Sequence, residues 1–216
     1  MLTVETIEVA GWKGAVEGMR NPLNSWSKSD SKSFLDTDMV LKYDLGENDL
    51  GLMQKLAVAG EEHRKFDRML CVWARIVAPL YWWKEFDTYK VGTVRNSCST
   101  MHKIAAKPFE LDDFSHEMTC SDESDRLLQH IVDDLNSWRD LYLKTKDKAY
   151  WWNLIQLLPS SYNQRAVVML NYETLFKIVN QRKGHKLNEW KTFIDWVMTL
   201  PYFEDIFCGP SKFAMF

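Results

Sequence analysis

Cysteine is scarce in this 216-residue chain and scattered where it occurs, at Cys71, Cys98, Cys120 and Cys208. No two of these form a short paired spacing, and a chain long enough to bury a sizeable core does not depend on disulfides. Reduced thiols in a cytoplasmic protein are therefore the expectation. No apolar run approaches the roughly 20 residues of a membrane span. The opening MLTVETIEV has neither a basic start nor an apolar signal core, so no membrane partner is expected. A basic excess is missing too: 27 Lys and Arg against 30 Asp and Glu leave a net charge of −3, which excludes a general nucleic-acid binder. The Walker loop, GxGxxG, GxSxG and HExxH are all absent, and with them the chemistry those templates carry. No linker, internal repeat or low-complexity segment divides the chain, which predicts a single domain over residues 1–216.

Tryptophan is what the sequence has in excess: 10 residues, well above what packing alone demands, which raises the expectation of a site or interface lined with rings. The densest aromatic stretch is APLYWWKEFDTYKVGTVRNSCS, Ala78 to Ser99. Tyr81, Trp82, Trp83 and Phe86 stand among Lys84, Glu85, Asp87, Tyr89 and Lys90, and Gly92 leads into small polar residues. Leu80, Trp83 and Asp87 share one helical spacing, and Trp82, Phe86 and Tyr89 share another, the pattern of a core helix. The same rings beside mixed charge and a flexible polar exit describe a ligand site. Both readings are carried to the structure.

The flanking pattern places this stretch. Thr3 to Val9 reads as a strand, Trp12 to Met19 as a short helix, and Asn24 to Ser33 as an exposed loop. Met39 to Tyr43 is a second short strand. Glu47 to Ala59 is a helix with Leu50, Met53, Leu56 and Ala57 on one face, ended by Gly60. From Met69 to Ala78 apolar residues fill both registers, which predicts a strand covered on both faces. Pro79 then suits the first turn of the aromatic helix. Ser121 is placed to cap a helix that runs to Lys144 and turns Leu127, Leu128, Ile131, Leu135, Trp138 and Leu141 inward. Ala149 to Leu158 is a further helix. Arg165 to Leu170 reads either as a strand or as the start of the helix Tyr172 to Arg182. Leu187 to Leu200 is the last helix, and the apolar tail Tyr202 to Phe216 suits docking or an interface.

A second informative stretch is NYETLFKIVNQRKGHKLNEW, Asn171 to Trp190. At 100° per residue Asn171, Leu175, Ile178 and Arg182 fall on one narrow face, and His185 follows past Gly184. A polar group at each end of an apolar stripe is suited to a ligand that is part ring and part phosphate. Equally, Arg182, Lys183 and His185 complement a helix C-terminus. Cys98 with His102, and His116 with Cys120, have the ligand types of zinc but lack the tight CxxC turn, and no metal is expected. Cys98 near Lys90 and Arg95 reads either as an inert thiol or as an activated one.

Taken in order and with their spacing, these stretches resemble the flavin-dependent thymidylate synthases, the ThyX family. That family has a Gly-His segment and a strand ending in Ala-Pro or Val-Ser. A helix then leads to Arg-Gln, and the Arg-His-Arg signature follows with spaced serines. Later come Asn-x-Arg-x-Leu, a Leu-Arg pair and a closing Ala-Gln-x-Glu. Gly60 and His63 lie on the first segment, and Ala78-Pro79 on the strand end. Lys84-Glu85 falls on Arg-Gln, Thr88-Tyr89-Lys90 on Arg-His-Arg, and Thr93 and Cys98 on the serines. Asn171 and Leu175 fall on the later Asn and Leu, Arg182 on the Arg, and His185 and Glu189 beyond it. Glu173 stands where the family has an Arg that contacts flavin, and Glu85 stands where it has a Gln.

The resemblance implies an α+β fold, a helix-rich ThyX-like single domain with a small mostly antiparallel sheet. It implies a homo-oligomer, a tetramer, and a role in pyrimidine nucleotide metabolism with a dUMP-like nucleotide as ligand. FAD and a folate are the cofactors it brings. On this reading His63 and Glu85 handle protons. Lys84, Glu85, Lys90, Cys98 and Arg182 bind substrate, and Tyr89, Lys90, Asn171 and His185 bind cofactor. The alternative is a non-catalytic scaffold that binds a nucleotide or a protein partner.

Overall fold

The computed structural model describes residues 1–212, with side chains through Gly209. In chain order the elements are β1 (Thr3–Ala10), α1 (Trp12–Arg20), β2 (Lys32–Leu35), β3 (Leu41–Asp44), α2 (Glu47–Val58), β4 (Cys71–Pro79), α3 (Leu80–Phe86) and β5 (Thr93–Ser97). They continue as α4 (Thr100–Lys103), α5 (Asp122–Thr145), α6 (Lys148–Gln156), β6 (Asn163–Asn171), α7 (Tyr172–Arg182), α8 (Asn188–Met198) and α9 (Phe203–Lys212). The fold is helix-rich α+β with a small, mostly antiparallel sheet, as expected. Its strands run in the order β1-β4-β6-β5, and β2 and β3 form a separate antiparallel hairpin that pairs Ser33 with Tyr43. No helix among the described residues is long and apolar enough to cross a membrane.

The chain divides into two compact units. The first comprises Met1–Glu5, Arg75–Thr88 and Arg95–Val168. Its core joins Ile104, Phe109 and Phe114 to Leu128, Val132 and Leu135 of α5 and Leu154 of α6. Asn136 fastens the 109 segment to α5: its Nδ2 donates to the Phe109 carbonyl at 2.9 Å, and its Oδ1 accepts from the Phe109 amide at 2.8 Å. Ser121 caps α5 by accepting from the Ser124 amide. The inward stripe of α5 differs from the expected one, because Leu127 is 61% exposed and Leu141 39% exposed. At 100° per residue the buried line through Leu128, Val132 and Leu135 leaves both of them off its face.

In α3, Trp82, Trp83 and Phe86 are buried against one another, with ring centroids 5.0 to 5.3 Å apart. The core reading therefore holds for these rings, and the aromatic floor of a ligand site does not. Each such ring stabilises the fold by about 1.5–3 kcal/mol through burial.

The second unit comprises Thr6–Ala74, Tyr89–Val94 and Met169–Phe216. Trp12 sits at its centre with Tyr43, Tyr172 and Tyr202 around it at centroid distances of 6.1, 5.7 and 5.3 Å. The buried Tyr172 hydroxyl donates to the Pro201 carbonyl at 2.7 Å. Gly11, just before α1, has φ +103°, and a Cβ there would lie 1.9 Å from the Met69 carbonyl oxygen, so only glycine fits. From the apolar tail, Phe203, Ile206 and Phe207 are buried and α9 packs on α2; Phe213 to Phe216 lie outside the described residues.

Two further expectations are corrected. In β4, Val72, Ala74, Ile76 and Ala78 are buried, whereas Cys71, Trp73, Arg75 and Val77 are only half-buried, so one face alone is fully covered. Of the two readings open for Arg165 to Leu170, the strand holds, as β6. The stretch 24–33 contains a 3-10 turn, Trp26–Lys28, and the beginning of β2.

Candidate functional site

Arg182 ends α7 and is held in place by aromatic residues of the second unit. Its Nε donates to the Tyr89 hydroxyl at 2.8 Å, and its guanidinium carbon lies 4.6 Å from the Trp190 ring centroid and 5.5 Å from that of Tyr89. Trp190 is fully buried and meets Tyr89 edge to face, with centroids 6.0 Å apart. The His185 ring lies 6.3 Å from Trp190, and its Nδ1 accepts from the Leu187 amide at 3.1 Å, which leaves a ring proton to Nε2. A guanidinium stacked on rings is a desolvated, oriented cation whose planar fork suits carboxylate or phosphate.

The segment preceding β5 is laid against the start of α7. Asn171 caps that helix, its Oδ1 accepting from the Thr174 amide at 2.9 Å, and Thr174 Oγ1 donates to the Val91 carbonyl at 3.0 Å. Gly92 takes φ +73°, and a Cβ there would stand 2.5 Å from Asn171 Nδ2 and 2.8 Å from Thr174 Oγ1. Lys90, two residues earlier, is exposed. Of the stripe proposed from the periodicity, Leu175 and Ile178 are fully buried and Asn171 is a cap. The stripe therefore serves the core.

A charged cluster occupies the other side of α7. Glu173, nearly buried, accepts from Arg68 Nε at 2.6 Å and Nη2 at 3.2 Å, and lies 3.5 Å from Lys177 Nζ. Burial works against its ionisation, but the Arg68 hydrogen bonds and the charges of Lys177 and Arg68 hold its carboxyl below the usual range. Lys177 and Arg64 also reach Glu61, at 3.4 and 3.5 Å, and Arg64 lies over the Phe176 ring.

Asp67 is fully buried beside this cluster, with Arg64 Nε 3.5 Å from its Oδ2. Apart from a weak approach by the Arg68 amide, neither of its carboxylate oxygens receives a hydrogen bond. Burial first, and then the charge of Glu173, push its pKa up to about 7, against the pull of Arg64 and Arg68. His63 is exposed, 3.6 Å from Glu62.

The remaining expected residues belong to the first unit. Lys84 is exposed and Glu85 half-buried on α3. The exposed Cys98 is held by its backbone: its amide donates to the Arg165 carbonyl at 2.8 Å, and its carbonyl accepts from Gln164 Nε2 at 2.8 Å. Arg95, expected beside that thiol, instead lies 4.0 Å over the Trp83 ring and bonds Asp87 at 2.6 and 2.8 Å. Cys71, Cys98 and Cys120 are free thiols. His116 Nδ1 lies 3.0 Å from the Phe114 carbonyl, and among the described residues no three His, Cys, Asp or Glu side chains form a metal-binding group.

The structure thus brings Tyr89, Arg182 and His185 together around Trp190. It also places Lys90 close along the chain and gives Asn171 a capping task. Sequence reasoning missed Trp190 as the platform for Arg182, Asp67 as a buried carboxyl, and Arg68 as the partner of Glu173. A signal for the last two was present in Phe66-Asp67-Arg68, an apolar residue followed by opposite charges in a short turn.

Solved structures match the chain along its length. One is a crystal structure of thymidylate synthase X (ThyX) from Helicobacter pylori with FAD and dUMP, with a TM-score of 0.71 and 14% identity over 97% of this chain and 100% of that one. Another, flavin-dependent thymidylate synthase ThyX from Helicobacter pylori complexed with FAD and dUMP, has a TM-score of 0.70 and 15% identity over 94% and 96%. No protein-family model matches the chain, and no curated protein sequence matches it. At this identity the likeness shows a ThyX-like fold.

Proposed function

We propose that this chain binds a pyrimidine nucleotide of the (deoxy)uridylate type on its ThyX-like scaffold and acts in pyrimidine nucleotide metabolism. Arg182 and Lys90 take the phosphate, and the ring of Tyr89 stands beside the base. The observation that carries this reading is the Arg182 guanidinium, bonded to the Tyr89 hydroxyl at 2.8 Å and stacked on Trp190 at 4.6 Å. A cation oriented before its ligand arrives loses little freedom on binding. The dUMP held by both Helicobacter pylori structures supports a nucleotide over other small anions. The assembly that goes with this reading is the homotetramer the resemblance implies.

The residues present do not fit FAD in the manner the resemblance implies. A cation facing the cofactor is replaced by Glu173, whose carboxylate is engaged by Arg68 and Lys177. The Oδ1 of Asn171 is taken by the helix cap. Of the signature triplet, Lys90 alone keeps a charge, and lysine offers a point charge where arginine offers a fork. These replacements favour a second reading, a nucleotide-binding scaffold without the flavin-dependent methyl transfer in which His63, Lys84, Glu85 and Cys98, and a folate, would take part.

Titration calorimetry with dUMP tests the site: measurable binding is expected, lost in Arg182→Ala with the fold retained. Equal affinity in that variant removes Arg182 from the site. A visible absorbance spectrum with added FAD separates the two readings. A colourless protein supports the scaffold, and a stoichiometric yellow chromophore restores the flavoenzyme.

A further inference from the structure

A cavity of about 440 Å³ lies within the second unit, among α1, the 26–33 segment and β3, and shares no residue with the Arg182 site. Its volume is that of a small-molecule site. Lys13, Glu17 and Arg20 line it from one face of α1, being four and three residues apart, and Trp26, Ser33 and Tyr43 line it from the segment opposite.

Arg20 is the organised element of this cavity. It is only 4% exposed; its Nε donates to Asp49 Oδ1 at 2.6 Å and its Nη1 to the Ser25 carbonyl at 3.3 Å. Asp49 is in turn saturated, its Oδ2 accepting from the hydroxyls of Ser29 and Ser31 at 2.7 and 2.6 Å and from the Ser31 amide at 3.1 Å. The carboxylate therefore cannot turn toward a ligand, and the guanidinium cannot rotate. Its Nη2 has no partner among the described residues and is not sealed off by protein, so this donor edge opens on the cavity that Arg20 lines.

The rest of the lining has a specific character. Lys13 and Glu17 stand one helical turn apart, the spacing at which opposite charges pair, yet neither forms an ion pair with the other or with any described residue. With Arg20 neutralised by Asp49, the cavity presents one positive and one negative charge and no net charge. The Trp26 indole N–H is occupied by Asn21 Oδ1 at 2.7 Å while the residue stays 49% exposed, which leaves an apolar surface available. Tyr43 is braced from behind by Trp12, stacked at 6.1 Å.

A ligand that satisfies all of these groups carries a carboxylate, an ammonium and a ring, and is neutral overall. We propose that this cavity binds an aromatic α-amino acid or a close derivative. The carboxylate lies on Arg20 Nη2 and Lys13, the ammonium on Glu17, and the ring against Trp26 and Tyr43. A doubly charged phosphate monoester would leave Glu17 opposed to like charge.

The test is titration calorimetry of the full chain with L-phenylalanine, with phenethylamine, which lacks the carboxylate, and with 3-phenylpropionate, which lacks the ammonium. L-Phenylalanine is expected to bind, and each truncated compound to bind about tenfold more weakly, because one charge-assisted hydrogen bond is lost. Lys13→Glu should weaken L-phenylalanine about tenfold and spare phenethylamine, whereas Glu17→Lys should weaken L-phenylalanine and spare 3-phenylpropionate. Both positions are exposed, so the variants are expected to fold. Absence of L-phenylalanine binding overturns the proposal. So does equal affinity for the truncated compounds, affinity unchanged in both variants, or binding of uridine in preference to the amino acid. Affinity for dUMP should be the same in Lys13→Glu as in the native chain, which keeps this outcome separate from the nucleotide reading.

Discussion

Replacing Asp67 with asparagine should stabilise the protein strongly at about pH 8 and much less at about pH 5. Asp67 is fully buried, it lies close to Glu173, and its carboxyl pKa stands at about 7 in place of the ordinary 3.8. The folded state therefore holds the Asp67 proton more tightly than the unfolded chain does. Between those two values the native protein carries more protons than the unfolded one, so its stability falls as pH rises through that window. The gap is roughly three pKa units; at about 1.36 kcal/mol per unit the native carboxylate forfeits up to about 4 kcal/mol by pH 8 relative to its protonated form.

Asparagine keeps the shape and removes the ionisation, and Arg64 retains Glu61 and the Phe176 ring as partners. Urea unfolding followed by tryptophan fluorescence, for both proteins at both pH values, measures the difference directly. A gain of about 2–4 kcal/mol at about pH 8 that shrinks to about 1–2 kcal/mol at about pH 5 is expected. Asp67→Asn destabilising equally at both pH values would refute the reasoning, since it would mean that pairing with Arg64 outweighs burial. Glu173→Gln supplies the internal control. With the neighbouring negative charge gone, Asp67 should titrate lower and the pH dependence should shrink.

Arg182→Ala should abolish dUMP binding while lowering stability by no more than about 1–2 kcal/mol, the worth of a half-buried cation on aromatic faces. Calorimetry and a thermal melt check the two halves of that statement. Gly92→Ala should destabilise by about 1–3 kcal/mol, because the added Cβ meets Asn171 Nδ2 at 2.5 Å and the backbone is held at φ +73°. Chemical denaturation reads it, and an unchanged midpoint would show that the 90–92 segment is free to move away from α7. Lys13→Glu should weaken L-phenylalanine binding about tenfold and leave dUMP binding alone.

Local chemistry was legible in the sequence because it acts over a turn or less. The hydroxyl of Ser121 announces the start of α5, Pro79 marks the passage from β4 into α3, and Gly60 and Gly184 follow the ends of α2 and α7. The helical spacing of Trp82 and Phe86, and of Leu80 and Trp83, left a core face and a ligand site both open, and the core is where these three rings lie. The order and spacing of the motifs also pointed to the ThyX-like fold that the solved structures share.

What the sequence could not show depends on partners far apart along the chain. The short strand β5 has no alternation strong enough to declare itself, and its place in the sheet depends on pairing with β6. Arg182 and Tyr89 are 93 residues apart, and Glu173 and Arg68 are 105 apart, so neither pair has a local signature. Periodicity cannot tell whether a stripe such as Leu175 and Ile178 faces a ligand or a core, since both need the same apolar spacing. That choice is made by the helices and strands that close over it. A replaced residue such as Glu173 likewise reads as a lost cation until the fold supplies the Arg68 that pairs with it. The sequence by itself determined the elements and their caps; the tertiary structure decided which charges meet, which rings are buried, and where a cavity remains.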